Sequence, residues 1–450
     1  MGDNVMTRIA NHVRRVSALA WVELLLLLAL TRCTDQPVQP ALRTPEARLE
    51  PQPGGLYCTE ADAKLSSGAL FRVCVDPEKW NRDLVVFIPG YHDPASAPEL
   101  PNDFSDTPVS VLFSGLGYGF ATTSFRGTGL IEPDTWIGGD LLELVATAKT
   151  LLANTTGRTT RFVYQTGGSQ GGLGTVQAVE QYPNTFSGGL AGCGPIGDYR
   201  KQIAYVADFR LVFDHFFAPV IPGWPLWTQQ LPGDPGYIDA NAWGTAEQSI
   251  GTALDDPSNA ARIRQVLDVT HAPTDAGDPA TIKGTTLGIL WYSFRGTNDV
   301  IAKSGGMPFG NQDRTYGGSL DDAALNAGVK RFQFTADAAR VAKLQTSARL
   351  RRPLVTMHTT GDPIVPVWHQ SLYRSRLSFL GRLLHTPFTI RRYGHCNFTD
   401  AELLAGFAVL VLKVSGYNLL VSDKVLPDPK AQAEFLHLAQ GLGASPALTH

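Results

Sequence analysis

The chain has 450 residues, of which 43% are hydrophobic and 18% are charged. This apolar fraction is typical of a folded protein and excludes a disordered chain. The net charge of −3 leaves no basic field for nucleic acid, so no nucleic-acid partner is expected. The five cysteines contain no C-x-x-C pair, which excludes a zinc ribbon.

Residues 1–32 have the pattern of an export signal. Three arginines precede an apolar run from Val16 to Leu30, which is short for a membrane span. Cys33 follows at the place where a bacterial lipoprotein carries its acylated cysteine, although Arg32 replaces the usual small residue. This segment has three possible fates: ordinary signal cleavage, cleavage with lipidation of Cys33, or retention as an uncleaved membrane anchor. Residues 33–55 are rich in proline and predict a tether that leads to an exported domain.

From residue 56 onward, short apolar runs that predict strands alternate with stretches of helical periodicity. Before residue 197, strands are predicted at 84–88, 118–125, 161–165 and 186–193, and helices at 140–152 and 171–182. After residue 351, strands are predicted at 354–358 and 386–393, and helices at 368–380 and 400–412. This alternation predicts an α/β protein with a mostly parallel sheet and helices on both faces. Residues 56–197 and 351–450 are therefore the two parts of one core.

Residues 198–350 interrupt this alternation. They contain mixed helices and loops with many aromatic residues, and they predict a cap or lid inserted before the strand at 354–358. Phe213 and Phe217 stand in an aromatic run at the start of this insertion. We expect them to bind an apolar or aromatic part of a substrate, or else to form the core of the cap itself.

The motif Gly167-Gly-Ser-Gln-Gly-Gly172 contains the only G-x-S-x-G of the chain. A predicted strand precedes it and a predicted helix follows, which is the setting of a nucleophile elbow. Such a turn strains the serine backbone and requires small neighbours, which Gly167, Gly171 and Gly172 supply. Ser169 is therefore the candidate nucleophile. The alternative is a glycine-rich turn without chemistry.

A serine nucleophile needs a base and an acid that orients the base. His395 follows the predicted strand 386–393, and Asp362 follows the predicted strand 354–358. We predict a Ser169–His395–Asp362 triad, in the chain order of this architecture. The alternatives are a plain turn at Asp362, an ordinary loop histidine at His395, and His358 or His369 as the competing histidine. His369 begins a helix beside Trp368, and both are candidate substrate-binding residues.

An oxyanion hole needs two N–H groups that point at the reacting carbonyl oxygen. Gln170 stands at the start of the helix after Ser169, where the helix dipole favours negative charge. Pro89-Gly90-Tyr91 follows the predicted strand 84–88. The backbone N–H groups of Gln170 and Tyr91 are therefore the predicted donors, and the His92 side chain is the alternative to Tyr91.

With these residues in place, the chain resembles the α/β-hydrolase superfamily, over roughly residues 57–200 and 350–415. The resemblance implies the α/β-hydrolase fold with a mainly helical cap. The glycine-rich serine motif and Arg126-Gly-Thr-Gly129 are similar to motifs of acetyl xylan esterases and cephalosporin C deacetylases, from which Thr128 departs. A cysteine directly after the histidine, Cys396, is similar to feruloyl esterases and tannases.

The feruloyl esterases and tannases pair that cysteine with one directly before the nucleophile, where this chain has Gly168. The resemblance therefore implies a substitute partner, Cys193, at the end of the strand after the elbow helix. A Cys193–Cys396 disulfide would hold the His395 loop; two free cysteines are the alternative. Cys58 and Cys74 flank a predicted hairpin and are the second candidate pair.

The sequence thus predicts an exported serine hydrolase that cleaves carboxylic esters, with a small-molecule or polymer-derived ester as its partner. It contains no H-E-x-x-H and no phosphate-binding loop, so no metal and no cofactor are expected. A secreted serine peptidase on the same fold and an inactive surface-binding module are the alternatives.

Overall fold

The structure, a computed structural model, describes residues 47–101, 109–217, 220, 240–416 and 428–441. The predicted export signal, Cys33 and most of the predicted tether lie outside these ranges. The described residues belong to one compact unit, so the core and the cap are not separate bodies. None of the described helices is long and apolar enough to cross a lipid bilayer.

The described residues contain one sheet of nine strands. The strands are β1 Glu50–Pro51, β2 Tyr57–Cys58, β3 Phe71–Val75, β4 Leu84–Ile88, β5 Gly119–Thr123, β6 Val163–Gly168, β7 Gly188–Gly192, β8 Leu354–Gly361 and β9 His385–Tyr393. Their spatial order is β1-β2-β3-β5-β4-β6-β7-β8-β9. The pairs among β1, β2, β3 and β5 are antiparallel, and every pair from β5 to β9 is parallel.

Helices connect the parallel strands and cover both faces of the sheet. The helices are α1 Val109–Gly115, α2 Leu142–Thr156, α3 Gln170–Gln181, α4 Tyr199–Phe217, α5 Ala240–Asp255, α6 Ala260–Thr270, α7 Ala280–Ser304, α8 Asp322–Gly328, α9 Ala338–Lys343, α10 Trp368–Arg376, α11 Phe379–Leu384, α12 Asp400–Ser415 and α13 Pro429–Gly441. A π-helical segment, Pro133–Leu141, leads into α2. This architecture confirms the predicted α/β-hydrolase fold.

The central strands are buried on both faces, as their uninterrupted apolar runs predict. Along β4, Val86 and Ile88 pack in the cluster that includes α2 and α3, whereas Val85 and Phe87 pack in the cluster that includes α12. This division follows from the alternation of side chains along a strand. The sheet is thus a rigid middle layer whose carboxyl edge holds the loops after β4, β6, β8 and β9.

The insertion between β7 and β8 is helical, as predicted. Helices α4 to α8, with Leu344 directly after α9, share an apolar core of their own, in which Ile250, Val266 and Ile289 are completely buried. Ile364 and Val365, in the loop after β8, belong to the same core. The cap is therefore packed directly onto the loop that carries Asp362.

Two details differ from the sequence prediction. Helix α1 between β4 and β5 was not anticipated, because its seven residues are too few for a clear period. The helix predicted over 368–380 is interrupted at Leu377, whose backbone is extended. Ser378 caps a new helix there by accepting a hydrogen bond from the Gly381 N–H at 3.1 Å.

A disulfide joins Cys58 of β2 to Cys74 of β3. The two residues are direct partners in the antiparallel register of these strands. The crosslink therefore ties the two-residue strand β2 to the sheet.

The start of β9 generates a prediction about pH. His385 is buried, and its Nε2 lies 2.9 Å from Thr356 Oγ1. Burial, with the charges of Arg374 and Lys413, lowers the pKa of His385 to about 4. Because this pKa lies below its value of about 6.5 in the unfolded chain, the stabilising contribution is complete above that pH and is lost as the pH falls toward 4.

We expect the free energy of unfolding to fall by about 2–3 kcal/mol less in His385→Gln than in the wild type between pH 6.5 and pH 4.5, because the amide does not titrate. Chemical denaturation at both pH values measures the difference. Equal losses in the two proteins would contradict the assignment.

Candidate active site

Ser169 occupies the sharp turn between β6 and α3. Its backbone angles are φ 56° and ψ −124°, a conformation that costs energy for a residue with a Cβ atom. The Ser169 N–H donates to the Gly192 carbonyl of β7 at 2.9 Å. The turn is therefore held by the neighbouring strand, and the strain is local to the serine.

Two glycines after the serine allow the turn to sit close to the strands. A Cβ atom on Gly171 would lie 2.2 Å from the Ile88 carbonyl oxygen of β4, and one on Gly172 would lie 2.4 Å from the Gly192 carbonyl oxygen. Both neighbours are backbone atoms that cannot move aside cheaply. The glycine-rich motif is thus required by close packing of α3 against β4 and β7.

The three predicted catalytic side chains are in hydrogen-bond contact. Ser169 Oγ lies 2.8 Å from His395 Nε2, and His395 Nδ1 lies 2.8 Å from Asp362 Oδ2. Because a carboxylate only accepts, Nδ1 carries the proton and Nε2 is free to accept from the serine hydroxyl. This is the arrangement that a general base needs.

Asp362 is completely buried and is held by its own loop. Its Oδ1 accepts from the N–H groups of Ile364 and Val365, each at 2.9 Å. His358 lies alongside, with Nε2 3.5 Å from Asp362 Oδ2. Burial lowers the pKa of His358, and its Nε2–H donates to the Val365 carbonyl at 2.6 Å. The neutral His358 side chain thus stabilises the loop that carries Asp362.

The His395 loop is fixed on both sides. On one side, the Gly394 N–H donates to the Gly361 carbonyl at 3.1 Å, and the Gly394 carbonyl accepts from Thr359 Oγ1 at 2.6 Å. On the other, Cys396 forms a disulfide with Cys193, directly after β7. Cys396 Sγ lies 3.6 Å from His395 Nε2. The crosslink therefore ties the base to the strand that also holds the serine turn.

The two predicted oxyanion donors lie next to Ser169. Gln170 is the first residue of α3, and the first N–H groups of a helix have no partner within it. A Cβ atom on Gly90 would lie 3.8 Å from Ser169 Cβ, which brings the loop after β4 beside the nucleophile. Tyr91 and Gln170 both line the cavity at Ser169.

The loop that contains Arg126-Gly-Thr-Gly129 connects these donors to the cap. The Gln170 side chain binds it twice, accepting from the Ile131 N–H at 3.1 Å and donating to the Gly129 carbonyl at 2.9 Å. Arg126 and Asp140 form an ion pair at its start. The motif therefore supports the side chain of one predicted oxyanion residue.

Asp299 and Lys303 of the cap helix α7 hold the same loop, and we call this pair the cap clamp. Asp299 accepts from the Leu130 N–H and, at 3.5 Å, from the Tyr91 hydroxyl. Lys303 Nζ donates to the Leu130 carbonyl at 2.6 Å and lies 3.3 Å from Asp299. Burial raises the pKa of Asp299, and the nearby Lys303 charge opposes that effect.

A cavity of about 70 Å³ lies between Ser169 and the cap. Its lining is Tyr91, Ser169, Gln170, Leu173, Pro195, Tyr199, Gln202, Ile203, Val206, Tyr292, Gly296, Thr297, Val300, Ile364 and Val365. None of these described residues is charged at neutral pH, since burial raises the pKa of Tyr292 to about 12 and raises that of Tyr199 as well. The cavity fits a small uncharged group.

The four predicted substrate-binding residues do not line this cavity. Phe213 and Phe217 are buried in the cap core and stack on each other, with ring centroids 4.6 Å apart. Trp368 stacks on His369. The aromatic run therefore serves the cap's own packing, which was the alternative left open by the sequence.

His369 has a structural role at the junction of core and cap. Its Nδ1 accepts from the Gly197 N–H at 3.0 Å, and its Nε2 lies 3.0 Å from Gln202 Oε1. Burial lowers the pKa of His369 far below its usual value. A neutral imidazole that donates through Nε2 therefore ties α4 to the start of α10.

The cap residues at the site were missed by sequence reasoning. Tyr199, Gln202, Tyr292 and Asp299 lie on α4 and α7 with no motif around them. The Asp299–Lys303 spacing is an ordinary i,i+4 pair that a solvent-exposed helix also shows. Only the packing of α7 on the loop after β5 gives this pair its role.

No protein-family model and no curated protein matches the chain. Among solved structures, feruloyl esterase B from Aspergillus oryzae is 13% identical with a TM-score of 0.45, over 83% of this chain and 86% of its own. Candida antarctica lipase A in its closed state is 12% identical with a TM-score of 0.42, over 88% and 89%. Tannin acyl hydrolase from Aspergillus niger is 13% identical with a TM-score of 0.40, over 81% and 79%.

The packing of the serine turn generates a second prediction. Gly171→Ala should lower the free energy of unfolding by about 3 kcal/mol or more, because the new methyl group would overlap the Ile88 carbonyl. Gly244→Ala in α5 is the matched control, since nothing lies within 4 Å of its added Cβ. It should leave stability unchanged or raise it by up to about 1 kcal/mol. Equal stability of both variants, measured by denaturant unfolding, would contradict the close packing.

Proposed function

We propose that the chain is an exported serine hydrolase that cleaves carboxylic esters. The observation that carries the proposal is the hydrogen-bonded chain Ser169–His395–Asp362 beside an uncharged cavity. A serine hydroxyl is a weak nucleophile until a base accepts its proton, and this geometry supplies that base.

In the proposed reaction, Ser169 Oγ attacks the ester carbonyl while His395 Nε2 takes the hydroxyl proton. Asp362 stabilises the imidazolium that forms. The Tyr91 and Gln170 N–H groups hold the negative charge on the carbonyl oxygen. His395 then protonates the departing alcohol, and water, activated by the same histidine, releases the acid from Ser169.

The cavity supports a short apolar acyl or alcohol group. In the same measure, one water occupies about 10–15 Å³ and a cavity of about 150 Å³ binds benzene, so a volume of about 70 Å³ suits a few carbon atoms. The described lining also offers no carboxylate for the free amine of a peptide. Asp255, an acidic residue of the cap, pairs with Lys283.

Two disulfides support export, since such bonds persist in oxidising compartments. Removal of residues 1–32 and a lipid on Cys33 are part of the proposal, and both lie outside the described residues. A purified mature protein without free thiols would support it.

The nucleophile is tested by covalent labelling. A fluorophosphonate probe should modify Ser169, and Ser169→Ala should abolish labelling and lower ester turnover by about 10⁴-fold or more. Ser371→Ala, which changes an exposed serine of α10, is the matched control and should behave as the wild type. Labelling that persists in Ser169→Ala would contradict the assignment.

The same preparation separates esterase from the two alternatives. Comparable kcat/KM values on aminoacyl arylamides and p-nitrophenyl esters would favour a peptidase. A folded protein that takes up no probe at all would favour a binding module.

Gly296 tests which group occupies the cavity. It faces the cavity from α7, and an added Cβ meets nothing within 4 Å. Gly296→Leu should therefore lower kcat/KM for p-nitrophenyl butyrate by about tenfold or more and leave p-nitrophenyl acetate nearly unchanged. Gly244→Leu, on the exposed face of α5, is the control. An unchanged acetate-to-butyrate ratio would show that the acyl chain does not lie against α7.

A further inference from the structure

Helix α11 carries an exposed apolar surface. Phe379, Leu380 and Leu383 are 76%, 68% and 61% exposed, and we call these three side chains the α11 patch. Among the described residues, one other large apolar side chain has comparable exposure, Leu320 in the cap. Large apolar groups clustered on one short helix, rather than scattered singly, are typical of a contact surface.

Cations surround the α11 patch. Arg382 lies within the helix and donates to the Ser375 carbonyl at 3.4 Å, while Arg374 donates to the His385 carbonyl at 3.5 Å. Lys413 of α12 reaches the Leu383 carbonyl at 3.4 Å. Within the described ranges, none of these three cations pairs with a carboxylate.

The sequence around the patch is free of acidic residues. From residue 363 to residue 390 the chain has three arginines, Arg374, Arg376 and Arg382, and no aspartate or glutamate, although its net charge is −3. The local charge of the segment that contains the α11 patch is therefore positive. A positively charged surface attracts a negatively charged partner.

We propose that the α11 patch and its cations bind the surface of a bilayer that contains anionic phospholipid. Phenylalanine and leucine side chains enter the boundary between headgroups and acyl chains, while arginine and lysine reach the phosphates. A second copy of this acidic chain fits less well. A stable protein interface takes roughly 800 Å² from each partner, more than three side chains provide.

The position of the patch determines how the protein would face the bilayer. Helix α11 ends at Leu384, directly before β9 begins at His385, so it lies at the amino end of that strand. Ser169, Asp362 and His395 follow the carboxyl ends of β6, β8 and β9. Because these strands are parallel, the patch and the candidate active site are at opposite edges of the sheet. A bound protein would keep its site toward the water.

Vesicle co-sedimentation tests the proposal on residues 44–450, the compact unit that holds both disulfides. The unchanged protein should sediment with vesicles that contain one third phosphatidylglycerol, much less with pure phosphatidylcholine, and less at high salt. A Phe379→Ser/Leu380→Ser/Leu383→Ser variant should lose at least about tenfold in bound fraction, because the apolar anchor is gone. Arg382→Gln should weaken binding to the anionic vesicles only.

Leu320→Ser is the matched control, because Leu320 is 88% exposed but lies away from the α11 patch. It should bind vesicles as the unchanged protein does. All variants should keep their thermal midpoint and their turnover of a water-soluble ester, since neither depends on the patch. If the ester proposal fails, the binding result still stands.

Two results would overturn the proposal. One is an unchanged protein that does not bind anionic vesicles, or a triple variant that binds them equally well. The other is a dimer, seen by light scattering, that the triple variant abolishes while vesicle binding is absent. That result would assign the patch to a second copy of the chain.

Discussion

The site depends on one close contact, the packing of the serine turn against the backbones of β4 and β7. The Ser169 N–H is bonded to the Gly192 carbonyl, and Gly171 leaves no room for a Cβ atom beside Ile88. This contact keeps Ser169 in a backbone conformation that most residues avoid. It also points the start of α3 and the loop after β4 at the same small volume. The position of the Ser169 side chain thus follows from the packing of the backbone.

Most titratable side chains around the site are buried and uncharged. His358 and His369 are neutral because burial lowers the pKa of each. His358 holds the Asp362 loop through Nε2, whereas His369 uses both ring nitrogens to join α4 to the start of α10. Tyr199 and Tyr292, which line the cavity, stay protonated because burial raises the pKa of each hydroxyl. Asp362, by contrast, has two backbone N–H groups and His395 as partners. The carboxylate of the predicted triad is therefore well solvated by protein dipoles.

The fold and the meeting of Ser169, His395 and Asp362 could be predicted from the sequence because these depend on local order. A strand, a turn and a helix appear in the residues themselves, and parallel strands bring their carboxyl ends to one edge. The interior of the cap could not be predicted in this way. An aromatic run such as the one around Phe213 shows that a helix is buried but not which neighbour buries it. Tyr292 and Asp299 became site residues only through the packing of α7.

The cap clamp links the cap to the two residues predicted to form the oxyanion hole, Tyr91 and Gln170. Asp299 contacts the Tyr91 hydroxyl and the loop at Leu130, and Gln170 binds that loop from the other side. If the cap opened fully, Asp299 would lose its contacts with the Tyr91 hydroxyl and with the Leu130 N–H. The cap and the loop after β5 are thus coupled parts: a cap transplanted from another protein would have to bring its own counterparts of Asp299 and Lys303.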